Sequence, residues 1–213
     1  MSGFQVYNSD SKILVDSDFR STLYYDNRAL GAISDTGFYE VNSPFGNGST
    51  LGFLPTDYWA DGYLRWIQLT SGKYGMPGAN LMEANAGRMV RTSRTTAMQS
   101  GYLNVYNSAG SLIWSANSAS KMPRIKAFVD IPSAYDLQDK VFSISLTFNP
   151  WILSNACPGN LTDDGTVTGY SGLMLKWTGS QLQASYVSKN QRNWSQTFQS
   201  RGIRVPLAQF VGI

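Results

Sequence analysis

The sequence predicts an all-β fold, an antiparallel β-sandwich or jelly-roll-like architecture with long loops and little helix. Three observations carry this expectation. Val141-Phe142-Ser143-Ile144-Ser145-Leu146-Thr147-Phe148 alternates apolar and polar residues with the period of a half-buried strand. Short apolar runs rich in β-branched and aromatic residues are separated along the whole chain by Gly, Asn, Ser and Pro. No stretch long enough for a stable helix carries an apolar stripe of helical spacing. Composition agrees: the 213 residues are 15% charged, against about 25% in an ordinary globular domain. Aromatic residues are plentiful, with 12 Tyr, 10 Phe and 6 Trp, and such rings favour strands.

The first element is Val6-Tyr7, followed by turn residues Asn8-Ser9-Asp10-Ser11 and an apolar return, Ile13-Leu14-Val15. This reads as a β-hairpin. The unit recurs: Val105-Tyr106-Asn107-Ser108 repeats Val6-Tyr7-Asn8-Ser9, and Leu112-Ile113-Trp114 matches Ile13-Leu14-Val15. Duplication and convergent turn chemistry both account for so brief an identity. A further hairpin places Leu173, Leu175 and Trp177 on one face, turns at Thr178-Gly179-Ser180, and returns with Leu182, Ala184 and Tyr186. Shorter strands are expected at 22–25, 37–41, 51–54, 63–69, 124–130 and 203–207. Segments 43–48, 72–78 and 157–168 read as loops from their Gly, Pro and Asn content. One or two helical turns are expected within 81–89 and again within 132–140. The organisation predicted is a hairpin at 1–20 and a β-sandwich domain over 21–213, with a soft seam near 90–101.

Chemistry is constrained by what is missing. The chain contains no histidine, which removes Ser-His-Asp triads, Cys-His pairs and His-ligated zinc. Cys157 is the one cysteine, so no intrachain disulfide forms. No phosphate-cradling glycine motif occurs. No cofactor or metal is expected, and the fold is expected to be non-enzymatic. The net charge of +3 spreads over 17 scattered basic residues, so no nucleic-acid partner is expected. Arg88, Arg91 and Arg94 are the one basic run and read as a solvated face. No apolar segment has the length of a membrane-spanning helix, and the opening residues lead to the expectation that the chain is not exported through a leader. Among carboxylates, Glu40 and Glu83 are the candidates for a glycan hydrolase that uses two acids only. Tyr58, Trp59, Arg192 and Trp194 are aromatic and charged residues in polar surroundings. They are candidates for a surface or glycan contact.

The opening segment from Gly3 through Phe4, Val6, Tyr7, Ser11, Ile13, Val15, Asp16 and Ser17 to Leu23 resembles the N-termini of small structural proteins of tailed bacteriophages. In those proteins a hairpin of pattern G-F-Q-V-Y-N-x-x-G-x-x-x-x-D-S opens tail-tip, baseplate or fibre-associated chains. Ser11 stands here where that pattern has Gly. The resemblance implies a virion protein without enzymatic activity, assembled in the cytoplasm of the bacterial host. Its partners would be other tail proteins, further copies of itself (a trimer favoured) and a receptor on the bacterial surface. The hairpin would be the docking element, through Phe4, Val6, Tyr7, Ile13 and Val15, because exposed hairpin edges extend a partner's sheet. Two other expectations stand beside it. One is a carbohydrate-binding module for bacterial surface glycan, with Trp59 or Trp194 exposed on a concave face. The other is the hydrolase built on Glu40 or Glu83.

Overall fold

The structure is a computed structural model and describes residues 5–7, 11, 13–16, 19–31, 38–46, 50–53, 62–163 and 165–213. Its strands are β1 (Gln5–Tyr7), β2 (Ile13–Asp16), β3 (Leu23–Leu30), β4 (Phe38–Glu40), β5 (Thr50–Phe53) and β6 (Leu64–Leu69). Then come β7 (Tyr74–Met76), β8 (Leu81–Met82), β9 (Gly87–Ser93), β10 (Asn104–Tyr106), β11 (Leu112–Ser115) and β12 (Arg124–Ile131). The chain continues through β13 (Phe142–Ser145), β14 (Trp151–Leu153), β15 (Gly159–Asp163), β16 (Thr168–Trp177) and β17 (Gln181–Lys189). A short helix, α1 (Trp194–Phe198), precedes β18 (Ile203–Gln209).

Two antiparallel sheets form a sandwich-like all-β fold. One has the order β12-β18-β14-β6-β9-β3; the other has the order β13-β17-β16-β7-β8-β5-β4, with β15 also paired to β16. The main core lies between them. Ile67, Leu69, Met89, Val129, Ile131, Val205 and Leu207 from the first sheet are buried with Leu173, Leu175, Trp177, Leu182, Ala184 and Tyr186 from the second. Each sheet also covers apolar side chains on its other face. Trp66, Val90, Trp151, Ala208 and Phe210 cluster beyond the six-stranded sheet, and Val41, Leu51, Tyr74, Met76, Leu81, Tyr170 and Met174 cluster beyond the other.

The hairpin expected at 173–186 is β16–β17. Trp177 pairs with Leu182, Leu175 with Ala184, and Leu173 with Tyr186, so all six fall on the core face. The alternating run at 141–148 holds too: Phe142, Ile144, Leu146 and Phe148 are half-buried, and the residues between them are exposed.

Other expectations are corrected. Segment 72–78 contains β7 and a 3-10 turn at Pro77–Ala79, and segment 157–168 contains β15. Their glycines are contact points as well as turn formers. A Cβ on Gly159 would lie 2.4 Å from the Gly78 carbonyl carbon, and one on Gly172 would lie 2.8 Å from Gly159 Cα. Here glycine lets three backbone segments touch. Segment 81–89 is not helical: Asn85 turns with φ 57° and the chain enters β9, held between β6 and β3. Segment 132–140 forms turns around the buried Leu137.

Candidate functional site

The two repeated units fold alike. In the first hairpin Gln5 pairs with Asp16, Val6 with Val15 and Tyr7 with Ile13, with a register shift between Val6 and Tyr7. In the second, Asn104 pairs with Ser115, Val105 with Trp114 and Tyr106 with Leu112, with the shift between Val105 and Tyr106. Every pair corresponds, as does the bulge. The turns correspond as well, since Ser11 (φ 59°) and Gly110 (φ 75°) adopt the left-handed conformation at the same position. Ser11 takes the geometry for which the resembled pattern uses Gly. Tyr7 and Tyr106 are each 51% exposed. Each hairpin is a two-stranded sheet with no third strand among the described residues.

The anchoring differs. In the first hairpin Tyr7 Oη donates to Gln5 Oε1, and Gln5 Nε2 donates to Asp16 Oδ2 at 2.8 Å. In the second, the residues equivalent to Gln5 and Asp16 bond to the adjoining chain instead. The Gly101 amide donates to Asn104 Oδ1 at 2.9 Å, and Ser115 Oγ donates to the Gln99 carbonyl. Ser115, Val105 and Ile113 are buried. Of the residues expected to dock, Val6 is half-buried and Tyr7 exposed, Ile13 and Val15 lie in β2 opposite them, and Phe4 is outside the described residues.

Of the second candidate group, the structure describes Arg192 and Trp194. Tyr58 and Trp59 lie outside the described residues. Arg192 is exposed, but Trp194 is 2% exposed and packs on Tyr186 and Phe198, with ring centroids at 5.6 and 4.5 Å. The expectation of a surface Trp194 is therefore corrected. The polar neighbours that suggested a surface form a helix cap. Asn193 Oδ1 accepts from the Gln196 amide at 2.9 Å, and Gln196 Oε1 accepts from the Asn193 amide at 3.0 Å. This reciprocal cap starts α1, and the first helical residue turns inward.

A different aromatic and charged cluster is present, one that the sequence reading did not assemble. Arg91 Nε donates to Asp26 Oδ1 at 2.8 Å and Nη2 bonds to Oδ2. The guanidinium lies over Tyr63 and Tyr25, at 4.7 and 5.3 Å from the ring centroids. The two rings are 4.9 Å apart. A bulge between Tyr24 and Asp26 sets Tyr25 there, on the edge strand β3. The Tyr25 hydroxyl, hydrogen-bonded to Tyr63, holds that phenol above its usual pKa, with partial burial adding to the effect. Arg88 and Arg91 do not share a face, because residues three apart on a strand point to opposite sides. Arg88 instead bonds Gln68 at 3.0 Å and lies over Trp151.

Glu83 serves the fold. It accepts from Lys73 Nζ at 2.8 Å and from the Tyr74 amide at 3.2 Å, closing the β7–β8 turn. Glu40 is exposed at the end of β4. Burial pushes the Cys157 thiol up to about 12, so it stays protonated. A polar cleft of about 240 Å³ lies beside it, bordered by Arg65, Asn80, Ser154 and Asn155. Asn155 is committed to the fold, accepting from the Arg65 amide at 2.7 Å and donating to the Tyr63 carbonyl at 3.3 Å. Among the described residues no cluster of three metal-binding side chains occurs, and no helix is long and apolar enough to cross a membrane.

Residues 1–212 match the family described as a domain of unknown function, DUF8377. The chain belongs to that family. The match takes in both hairpins and both sheets, so the DUF8377 unit is the whole sandwich with its two ribbons. No curated protein and no solved structure matches it.

Proposed function

We propose that this protein is a non-enzymatic structural component of a bacteriophage tail, at the tail tip, baseplate or a fibre. It assembles with other virion proteins and with copies of itself, and contacts the host surface. The supporting observation is the first hairpin. It is an N-terminal ribbon with a phage-like sequence, its polar side chains bonded to one another, and it lacks a third strand among the described residues. A self-contained ribbon of that kind is suited to joining a partner's sheet. Assembly would take place in the bacterial cytoplasm. Mass spectrometry of purified virions from a phage encoding this chain should find it in stoichiometric amounts. Deleting residues 1–20 should remove it from virions while leaving a soluble β protein. Normal incorporation of the deleted chain would overturn the anchoring role, and absence of the intact chain from virions would overturn the virion reading.

One observation favours a second reading, glycan contact at a place other than Trp194. Tyr25 exposes its ring beside the Arg91–Asp26 pair, and an exposed ring next to fixed hydrogen-bonding groups suits the apolar face of a sugar. Saturable binding to bacterial polysaccharide, lost on Tyr25→Ala with the fold intact, is the expected result. Equal binding by the variant would exclude this site.

A further inference from the structure

The repeated hairpin suggests how copies of this chain meet. We propose that the first hairpin of one copy pairs with the second hairpin of the next, forming a four-stranded sheet across the contact, and that the repeated contact closes a ring. This deepens the self-assembly part of the reading above and is independent of its virion part.

Four observations support a second copy as the occupant. Each hairpin is a separate two-stranded sheet among the described residues, and such a ribbon alone is marginally stable in water. Pairing the two hairpins gives each two further strands, using only what the chain contains. The two ribbons have the same register, the same bulge and the same left-handed turn, so their twists match along a shared edge. The second hairpin carries an uncovered apolar surface: Tyr102 is 102% exposed, Leu103 59% and Tyr106 51%. The chain from Thr95 to Ser120 contains no charged residue, so Asp16 of an incoming ribbon meets no like charge there.

The contact joins two different surfaces, so it is heterologous and closes only as a ring. That permits a test on the full-length chain. Tyr7→Asp disables the first hairpin's contact surface. Leu103→Asp with Tyr106→Asp disables the second's. All three side chains are exposed, so both variants should fold and keep the wild-type circular dichroism spectrum. By light scattering at micromolar concentration, the wild type should be a closed oligomer of three or more copies and each variant a monomer. An equimolar mixture of the variants retains one working pair of surfaces and should give a one-to-one dimer that grows no further. A monomeric wild type, variants that still form the ring, or a mixture that stays monomeric would each overturn the proposal. A ring in solution from a chain that is missing from virions would leave it standing and defeat the virion reading alone.

Discussion

Ser115 and Asp16 occupy the same position in two hairpins of the same register, yet Ser115 is buried and bonded to the Gln99 carbonyl while Asp16 is bonded to Gln5 in its own ribbon. The other strand shows the same contrast, with Asn104 accepting from the Gly101 amide and Gln5 linked to Tyr7. Pairing, bulge and turn are local properties, and a short segment sets them. Anchoring depends on a few polar side chains and on what flanks them. The second hairpin is held by the chain around it, and the first holds itself.

The largest expected effect tests that difference in burial. Val105 is buried and Val6 half-buried. Val105→Asp places a charge where water is excluded and should cost roughly 3 kcal/mol, a fall in Tm of about 6–12 °C for a chain of this size. Val6→Asp should stay within about 1 kcal/mol, because its carboxylate can reach water. Thermal melts measure the Val105 loss, and amide hydrogen exchange in the first ribbon measures the Val6 loss. Equal losses would mean that the first hairpin is anchored as firmly as the second.

A smaller effect addresses the polar anchor. Ser115→Ala removes the hydroxyl that donates to the Gln99 carbonyl and accepts from the Ser118 amide at 3.1 Å. Because the site is buried, the loss should be about 1–2 kcal/mol in urea unfolding. Asp16→Ala removes a surface hydrogen bond and should cost no more than about 0.5 kcal/mol. A larger loss at Asp16 than at Ser115 would reverse the assignment of which hairpin depends on its surroundings.

Much of this was legible in the residues. The register of β16–β17 follows from Leu173, Leu175 and Trp177 facing Leu182, Ala184 and Tyr186, and both hairpins follow from their turn residues. The misreadings share a cause, since composition does not say what a residue touches. Gly78, Gly159 and Gly172 carry the composition of a loop and serve as close backbone contacts. Asn193 and Gln196 look like a polar surface around Trp194, and the reciprocal cap they form directs that ring inward. An N-x-x-Q signal ahead of an aromatic pair four residues apart, Trp194 and Phe198, was available in the sequence and pointed to α1. The Arg91, Asp26, Tyr25 and Tyr63 cluster had no such local signal. Tyr25 and Asp26 come from β3, Arg91 from β9 and Tyr63 from the residue before β6, and the pairing of β9 with β3 and β6 brings them together.

The smallest expected effect concerns the turn position, where the two hairpins carry different residues in the same conformation. Ser11 (φ 59°) holds a backbone geometry that costs an L residue about 1 kcal/mol, and Gly110 (φ 75°) holds it without that cost. Ser11→Gly relieves the strain but gives the unfolded chain more freedom, so the net gain should be about 0.5 kcal/mol. Gly110→Ser should lose a similar amount for the opposite reasons. A global melt would miss the first change, because a ribbon with no third strand among the described residues can open while the sandwich stays folded. Amide hydrogen exchange at Val6 and Val15, which face each other in the ribbon, reads the opening directly. Exchange there should slow roughly twofold in Ser11→Gly, and exchange at Val105 and Trp114 should quicken by no more than that in Gly110→Ser. If both substitutions shifted exchange in the same direction, the shared left-handed residue would not be the feature that closes the two turns, and their correspondence would be one of sequence alone.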